Sequence, residues 1–223
     1  TGQGIRLLKG KDALKDQSYF LYRLNQKQLA HILFPLGDYT KTQVRCLARD
    51  FGLHVADKSG SQEICFLPGS DYRAFLREWP GQTVKTGPVV DEEGRLLGRH
   101  QGIPFYTIGQ RQGLGIAGKE PLYITRIDAR NNTITLGKKT QAFGKEFLVE
   151  QPHFILRPFK KKVVLSVRIR YNHKAARAEL QPFGRKLKVK FLKPQFAITP
   201  GQSAVFYKRN NVCGGGIIEK VLG

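Results

Sequence analysis

The feature that most constrains the fold is a period-two alternation that sets in after Gln151. In the run VVLSVRIRY, Val163, Leu165, Val167, Ile169 and Tyr171 are expected to face a core, while Ser166, Arg168 and Arg170 face outward. In KLKVKFLK, Leu187, Val189 and Phe191 alternate in the same way with Lys186, Lys188 and Lys190. A helix repeats its faces every ~3.6 residues and cannot bury such a pattern on one side. Pro182, Phe183 and Gly184 are placed between neighbouring strands. Several short antiparallel strands at this spacing predict a small barrel with basic side chains on its outer face.

The preceding segments read differently. From about residue 81, short strands are separated by turns, with hairpin turns at Asp91-Glu92-Glu93-Gly94 and at Asn131-Asn132. The first 80 residues read as helices between loops. Thr40 and Gln43 form a capping box, Val44, Leu47 and Phe51 share a helical face, and Gly52 ends the helix. A second short helix is expected from Ser70 as cap through Tyr72, Phe75, Leu76 and Trp79, closed by Pro80 and Gly81.

Charge narrows the partner. With 38 Lys and Arg against 17 Asp and Glu, the net charge of +21 points to a polyanion, the alternative being a generally basic, solubilising surface. Residues 151–223 hold 16 of these cations against Glu179 and Glu219 alone. No apolar run approaches the ~18 residues of a membrane span, and TGQGIRLLKG lacks the apolar core of a signal peptide, so a soluble, intracellular protein is expected. The chain contains no Met, and its amino terminus reads as a cut point with sequence missing upstream. Cys46, Cys65 and Cys213 form no CxxC pair and have no His at metal-ligand spacing, which argues against a structural zinc site.

One motif is tempting and misleading. Gly113 to Gly118 match GxGxxG, but Lys119, Glu120 and Pro121 lead into a strand-like Leu122-Tyr123-Ile124 rather than a helix. A flexible loop carrying Gln110, Arg111 and Gln112 is expected there, not a dinucleotide site. Neither GxxxxGK[ST] nor GxSxG occurs.

Two short motifs are more informative together. Lys15 to Leu21, KDQSYFL, and Ser61 to Phe66, SQEICF, resemble the two signatures of the bacterial and mitochondrial tRNA-specific 2-thiouridylases. Further matches follow in the same order: Gly102 with Thr107 to Arg111, Gly113 to Ile116, Arg168 to Tyr171, Thr199 to Tyr207 and Gly214 to Ile218. The resemblance implies an α+β chain. Residues 1–70 would be the helical end of an α/β catalytic domain, 71–140 a small β-rich central domain, and 141–223 a basic antiparallel β-barrel that binds tRNA.

It also implies a chemistry, in which an amino-terminal ATP-pyrophosphatase domain uses ATP with magnesium to adenylate the C2 oxygen of the anticodon wobble uridine, and a cysteine persulfide delivers sulfur. Cys65 matches the persulfide cysteine, whereas the SGGxDS phosphate loop and an earlier, assisting cysteine are not in this sequence. Cys46 does not match that second cysteine. The chain alone is therefore expected to bind tRNA without completing catalysis. The implied partners are tRNA, a persulfide sulfur-donor protein and the missing amino-terminal domain, with no membrane, in the cytoplasm or, in a eukaryote, the mitochondrial matrix.

Lys15, Asp16, Gln17, Arg170, Tyr171 and Gln202 match the family's tRNA-contacting residues. Their chemistry suits the role: Lys and Arg neutralise phosphates, Tyr stacks on an exposed base, and Gln reads a base edge or a ribose hydroxyl. Without the resemblance, Lys15 and Arg170 read as solvated surface charges, Tyr171 as a core residue and Cys65 as a buried thiol. The rival function is a non-catalytic RNA-binding barrel with a structural Cys65. A cysteine hydrolase is disfavoured, because none of His31, His54, His100, His153 and His173 stands in a general-base context around Cys65.

Overall fold

A computed structural model describes residues 4–58, 72–78, 84–116, 118 and 120–222. In chain order its elements are β1 (Leu7–Leu8), α1 (Ser18–Leu21), α2 (Gln26–Leu29), α3 (Lys41–Asp50), α4 (Tyr72–Glu78), β2 (Gly87–Val90), β3 (Leu96–His100), β4 (Tyr123–Asp128) and β5 (Thr133–Gly137). There follow β6 (Phe143–Phe154), β7 (Val163–Arg168), β8 (Ala176–Phe183), β9 (Lys186–Phe196), β10 (Ser203–Lys208) and β11 (Asn211–Leu222). The fold is α+β. The chain divides into two compact units, one of Thr1–Lys58, Lys145–Gln195 and Thr199–Gly223, the other of Ser59–Gly144 and Phe196–Ile198.

The first unit is built on a closed antiparallel barrel with strand order β11-β10-β7-β8-β9-β6, sealed by pairing of β11 with β6, and β1 adds to β11 outside the ring. The alternation dictates its core: Leu165, Val167, Leu180, Leu187, Val189 and Phe191 are buried. The turn between β8 and β9 sits two residues later than the sequence suggests. Pro182 and Phe183 still pair, with Leu187 and Lys186, and the loop falls at Gly184, whose φ of 59° is the left-handed conformation that a short hairpin requires.

Residues 7–29 lie against the barrel's outer surface. Leu7, Tyr19, Tyr22 and Leu29 form one cluster with Ile155, Val205, Tyr207 and Val212, so β10 is buried on both faces. Gly215 makes the close approach possible, since a Cβ there would stand 2.7 Å from the Tyr22 ring and from the Ala204 carbonyl oxygen.

Of the helices in this unit, α3 has the expected capping box, Gln43 N donating to Thr40 Oγ1 at 3.3 Å and Thr40 N to Gln43 Oε1 at 2.9 Å, and Gly52 ends it with φ 63°. Only Ala48 of this helix is buried, while Phe51 at its end is exposed. A second box, Asn25 with Gln28, starts α2 and was not foreseen from the sequence.

The second unit holds a four-stranded sheet ordered β3-β2-β5-β4, antiparallel except for the parallel pair β2 and β5. Both expected hairpin turns are present. Asp91 Oδ1 accepts from Glu93 N and Arg95 N, and Gly94 has φ 82°. Asp128 accepts from Arg130 N and Asn131 N, and Asn132 has φ 49°. Val89, Ile124, Ile134 and Leu136 are its core. Ser70, Trp79, Pro80 and Gly81 lie outside the described residues.

Candidate functional site

The loop before α1 and the segment after β7 meet on the barrel's outer surface, and a buried ion pair joins them. Asp16 Oδ1 accepts from Gly10 N at 3.1 Å and Ser18 N at 3.0 Å; Oδ2 accepts from Ser18 Oγ at 2.9 Å and from Arg168 Nη1 at 3.2 Å. The Asp16 side chain is 4% exposed and that of Arg168 13%, so the carboxylate is buried and the guanidinium mostly so. Arg168 spends its other donors on the second segment, Nε on the His173 carbonyl at 3.2 Å and Nη2 on the Tyr171 carbonyl. One guanidinium thus fixes both chain segments, a use suited to its planar fork.

Around this clamp the aromatic side chains are ordered. Tyr19 Oη donates to the Ser203 carbonyl at 2.8 Å, and Tyr22 Oη lies 3.1 Å from Ser203 Oγ. Burial, with Tyr22 and Tyr207 nearby, pushes the Tyr19 phenol up to about 12, and burial likewise raises Tyr207, so both remain protonated at neutral pH. Lys9 sits over the Tyr207 ring at 4.2 Å, its ammonium lowered by burial.

The structure brings together most of the residues singled out from the sequence. Gln17, exposed, donates from Nε2 to Tyr171 Oη at 3.2 Å, and Lys15 beside it is exposed. Arg170 Nη2 donates to Thr199 Oγ1 at 2.5 Å, and the Thr199 carbonyl accepts from Gln202 N at 3.2 Å, linking Arg170 to the turn that carries Gln202. Tyr171 departs from its strict-alternation reading. The strand β7 ends at Arg168 and the chain bends, so the Tyr171 ring packs on the cluster of Tyr19 and Tyr22 rather than inside the barrel. Asp16, buried among four intramolecular donors, positions its neighbours.

The outward barrel cations are occupied too. Lys186 pairs with Glu219 at 2.5 Å, and Lys188 and Lys190 both pair with Glu146. From the sequence Arg168 is expected to face outward; the signal against a free surface charge was Asp16 within the motif KDQSYFL, an acid that needs a cationic partner if buried.

Cys65, the expected sulfur carrier, lies outside the described residues. Cys46 is exposed on α3, and Cys213 is half-buried in β11, where burial raises its thiol and disfavours the thiolate. Among the described residues no group of three His, Cys, Asp or Glu side chains is placed to hold a metal ion. His100 is a structural histidine, Nδ1 accepting from Gly102 N and Nε2 near the Asn132 carbonyl. His153 and His173 contact the Leu24 carbonyl and Gln195, and no helix among the described residues is long and apolar enough to cross a membrane.

The glycine-rich segment does not suit nucleotide phosphates. Leu114 and Ile116 pack on the core of the four-stranded sheet, and the chain continues into β4 without a helix start among the described residues. A cavity of about 410 Å³ beside it has Arg111, Leu114, Ile116, Glu120, Pro121 and Leu122 among its described lining residues, so an acid stands there as well as a cation. The preceding turn is tied rather than loose: Gln110 Oε1 accepts from Thr107 N and its Nε2 donates to the Gln112 carbonyl.

Comparison with known proteins matches residues 1–69 to a tRNA methyl transferase HUP domain, 73–138 to a tRNA methyl transferase PRC-barrel domain and 144–218 to an aminomethyltransferase beta-barrel domain. The tRNA-specific 2-thiouridylase MnmA 1 of Caldanaerobacter subterraneus is 50% identical over 216 residues, covering 96% of this chain and 59% of the relative. The tRNA-specific 2-thiouridylase MnmA of Carboxydothermus hydrogenoformans is 46% identical over 218 residues, covering 97% and 60%. That of Clostridium acetobutylicum is 46% identical over 215 residues, covering 95% and 60%. The chain spans about three fifths of the length of these curated relatives.

Proposed function

The chain belongs to the tRNA-specific 2-thiouridylase family, and from that premise we propose that it forms the tRNA-binding, sulfur-carrying part of an enzyme that thiolates C2 of the anticodon wobble uridine. The observation that carries this reading is the contact of exposed Gln17, two residues after exposed Lys15, with Tyr171, held by Arg168 from two segments far apart in sequence. A cation, an amide and an aromatic ring on a chain of net charge +21 are the groups that hold an unpaired stretch of RNA.

In this reading residues 1–70 end the catalytic domain, 71–140 form a central domain and 141–223 carry tRNA. Cys65 accepts sulfur from a persulfide donor protein, and ATP with magnesium is used by a domain that the relatives' additional length supplies. Calorimetry on the 223-residue chain should then show tRNA binding at low salt and no saturable site for ATP with magnesium. A saturable ATP site lost on replacing Gly115 and Gly118 would overturn the assignment of that segment to the sheet core.

Salt dependence tests the electrostatics. Lys160 and Lys161 are exposed between β6 and β7, whereas Lys188 and Lys190 already face Glu146. Each phosphate contact contributes ~0.9 or somewhat less to the slope of log affinity against log salt. Reversing Lys160 and Lys161 together is expected to flatten that slope by about one unit or more, and reversing Lys188 and Lys190 by less than about half of that. Equal flattening by both pairs would show that the ion pairs with Glu146 open when RNA binds.

A further inference from the structure

We propose that the exposed ring of Phe20 is a stacking platform for an unpaired nucleobase of the bound RNA. The inference rests on the reading that this chain binds tRNA and names one more residue through which it does so. Phe20 lies on α1 with 58% of its surface exposed, next to Tyr19, which is 5% exposed. Its ring is nonetheless held. Tyr171 stacks on it with centroids 5.1 Å apart and planes 28° from parallel, and Tyr19 meets it edge-on at 5.3 Å and 84°. With Tyr171 stacked on it and Tyr19 set at right angles to it, Phe20 still keeps more than half of its surface exposed.

The neighbours are themselves fixed. Tyr19 is anchored to the Ser203 carbonyl, the Tyr171 hydroxyl accepts from Gln17, and Arg168 holds the Tyr171 backbone. A ring ordered before binding loses little conformational freedom when a base settles on it. The surroundings select the occupant. The same loop exposes Leu14, but beside it stand an exposed ammonium at Lys15 and an exposed amide at Gln17, polar groups that a purely apolar partner would leave unused. Those groups complement the phosphate and base edge of a nucleotide whose base lies on Phe20, and the net charge of +21 draws in such a strand.

Binding of the full chain to total tRNA, to single-stranded oligouridine and to a fully paired RNA duplex, followed by fluorescence anisotropy, tests this. Stacking on one aromatic residue changes affinity by roughly five- to a hundredfold on removal. Phe20→Ala is expected to weaken tRNA and oligouridine by a factor in that range at every salt concentration, leaving the salt slope and the duplex affinity unchanged. Phe20→Trp should retain or tighten single-strand binding. Wild-type-like tRNA affinity in Phe20→Ala would overturn the proposal. So would equal losses on the duplex, or equal losses in the Ala and Trp variants, because each would mean that the ring supports protein structure or a protein partner instead. Absence of tRNA binding by the unmodified chain would refute the proposed function itself, a separate result.

Discussion

Asp16→Ala is expected to destabilise the barrel unit by about 3–5 kcal/mol, the cost of removing one partner from a desolvated ion pair. The substitution leaves Arg168 as a cation 13% exposed and strips the acceptor from Gly10 N, Ser18 N and Ser18 Oγ at once. Arg168→Ala is expected to cost less, since the carboxylate keeps three donors. Pairing Asp16→Asn with Arg168→Met should cost clearly less than the sum of the two single changes, because neither a buried cation nor a buried anion remains. Urea denaturation followed by circular dichroism reads these differences from midpoints at constant slope. A loss below about 1 kcal/mol for Asp16→Ala would be the value of a solvated surface pair and would refute the buried clamp. The wild-type affinity of a folded Asp16→Asn variant for tRNA would show, in addition, that the carboxylate does not position Gln17 and Tyr171.

Cys65→Ser is expected to abolish tRNA thiolation when the chain is joined to the remaining portion of a relative's sequence. The proposed loading step is thiolate exchange: the Cys65 thiolate attacks the terminal sulfur of a donor persulfide, a new S–S bond forms on Cys65, and the donor cysteine leaves as its thiolate without net oxidation. Serine cannot form that bond. Peptide mass spectrometry after incubation with a persulfide donor should find one added sulfur on Cys65 and none on Cys46 or Cys213, the latter being disfavoured by its raised thiol. Full thiolation by Cys65→Ser would instead favour an RNA-binding module with a structural cysteine.

The sequence by itself determined which side of each barrel strand is apolar, because that depends only on residue type at period two. Leu165, Val167, Val189 and Phe191 are in the core for that reason. Local chemistry likewise announced the α3 capping box, the left-handed glycines at its end and in the hairpins, and the basic character of the carboxy-terminal third. Periodicity says nothing of what covers a strand's other face. That β10 is buried on both sides, that Arg168 turns from a surface charge into a clamp on Asp16, and that Tyr171 leaves the barrel to stack on Phe20 depend on contacts between residues 7–29 and strands more than a hundred residues away. Such contacts are fixed by complementary shape and charge between surfaces that come together only on folding, so tertiary structure alone decided which cations pair inside the protein and which aromatic ring is offered to solvent.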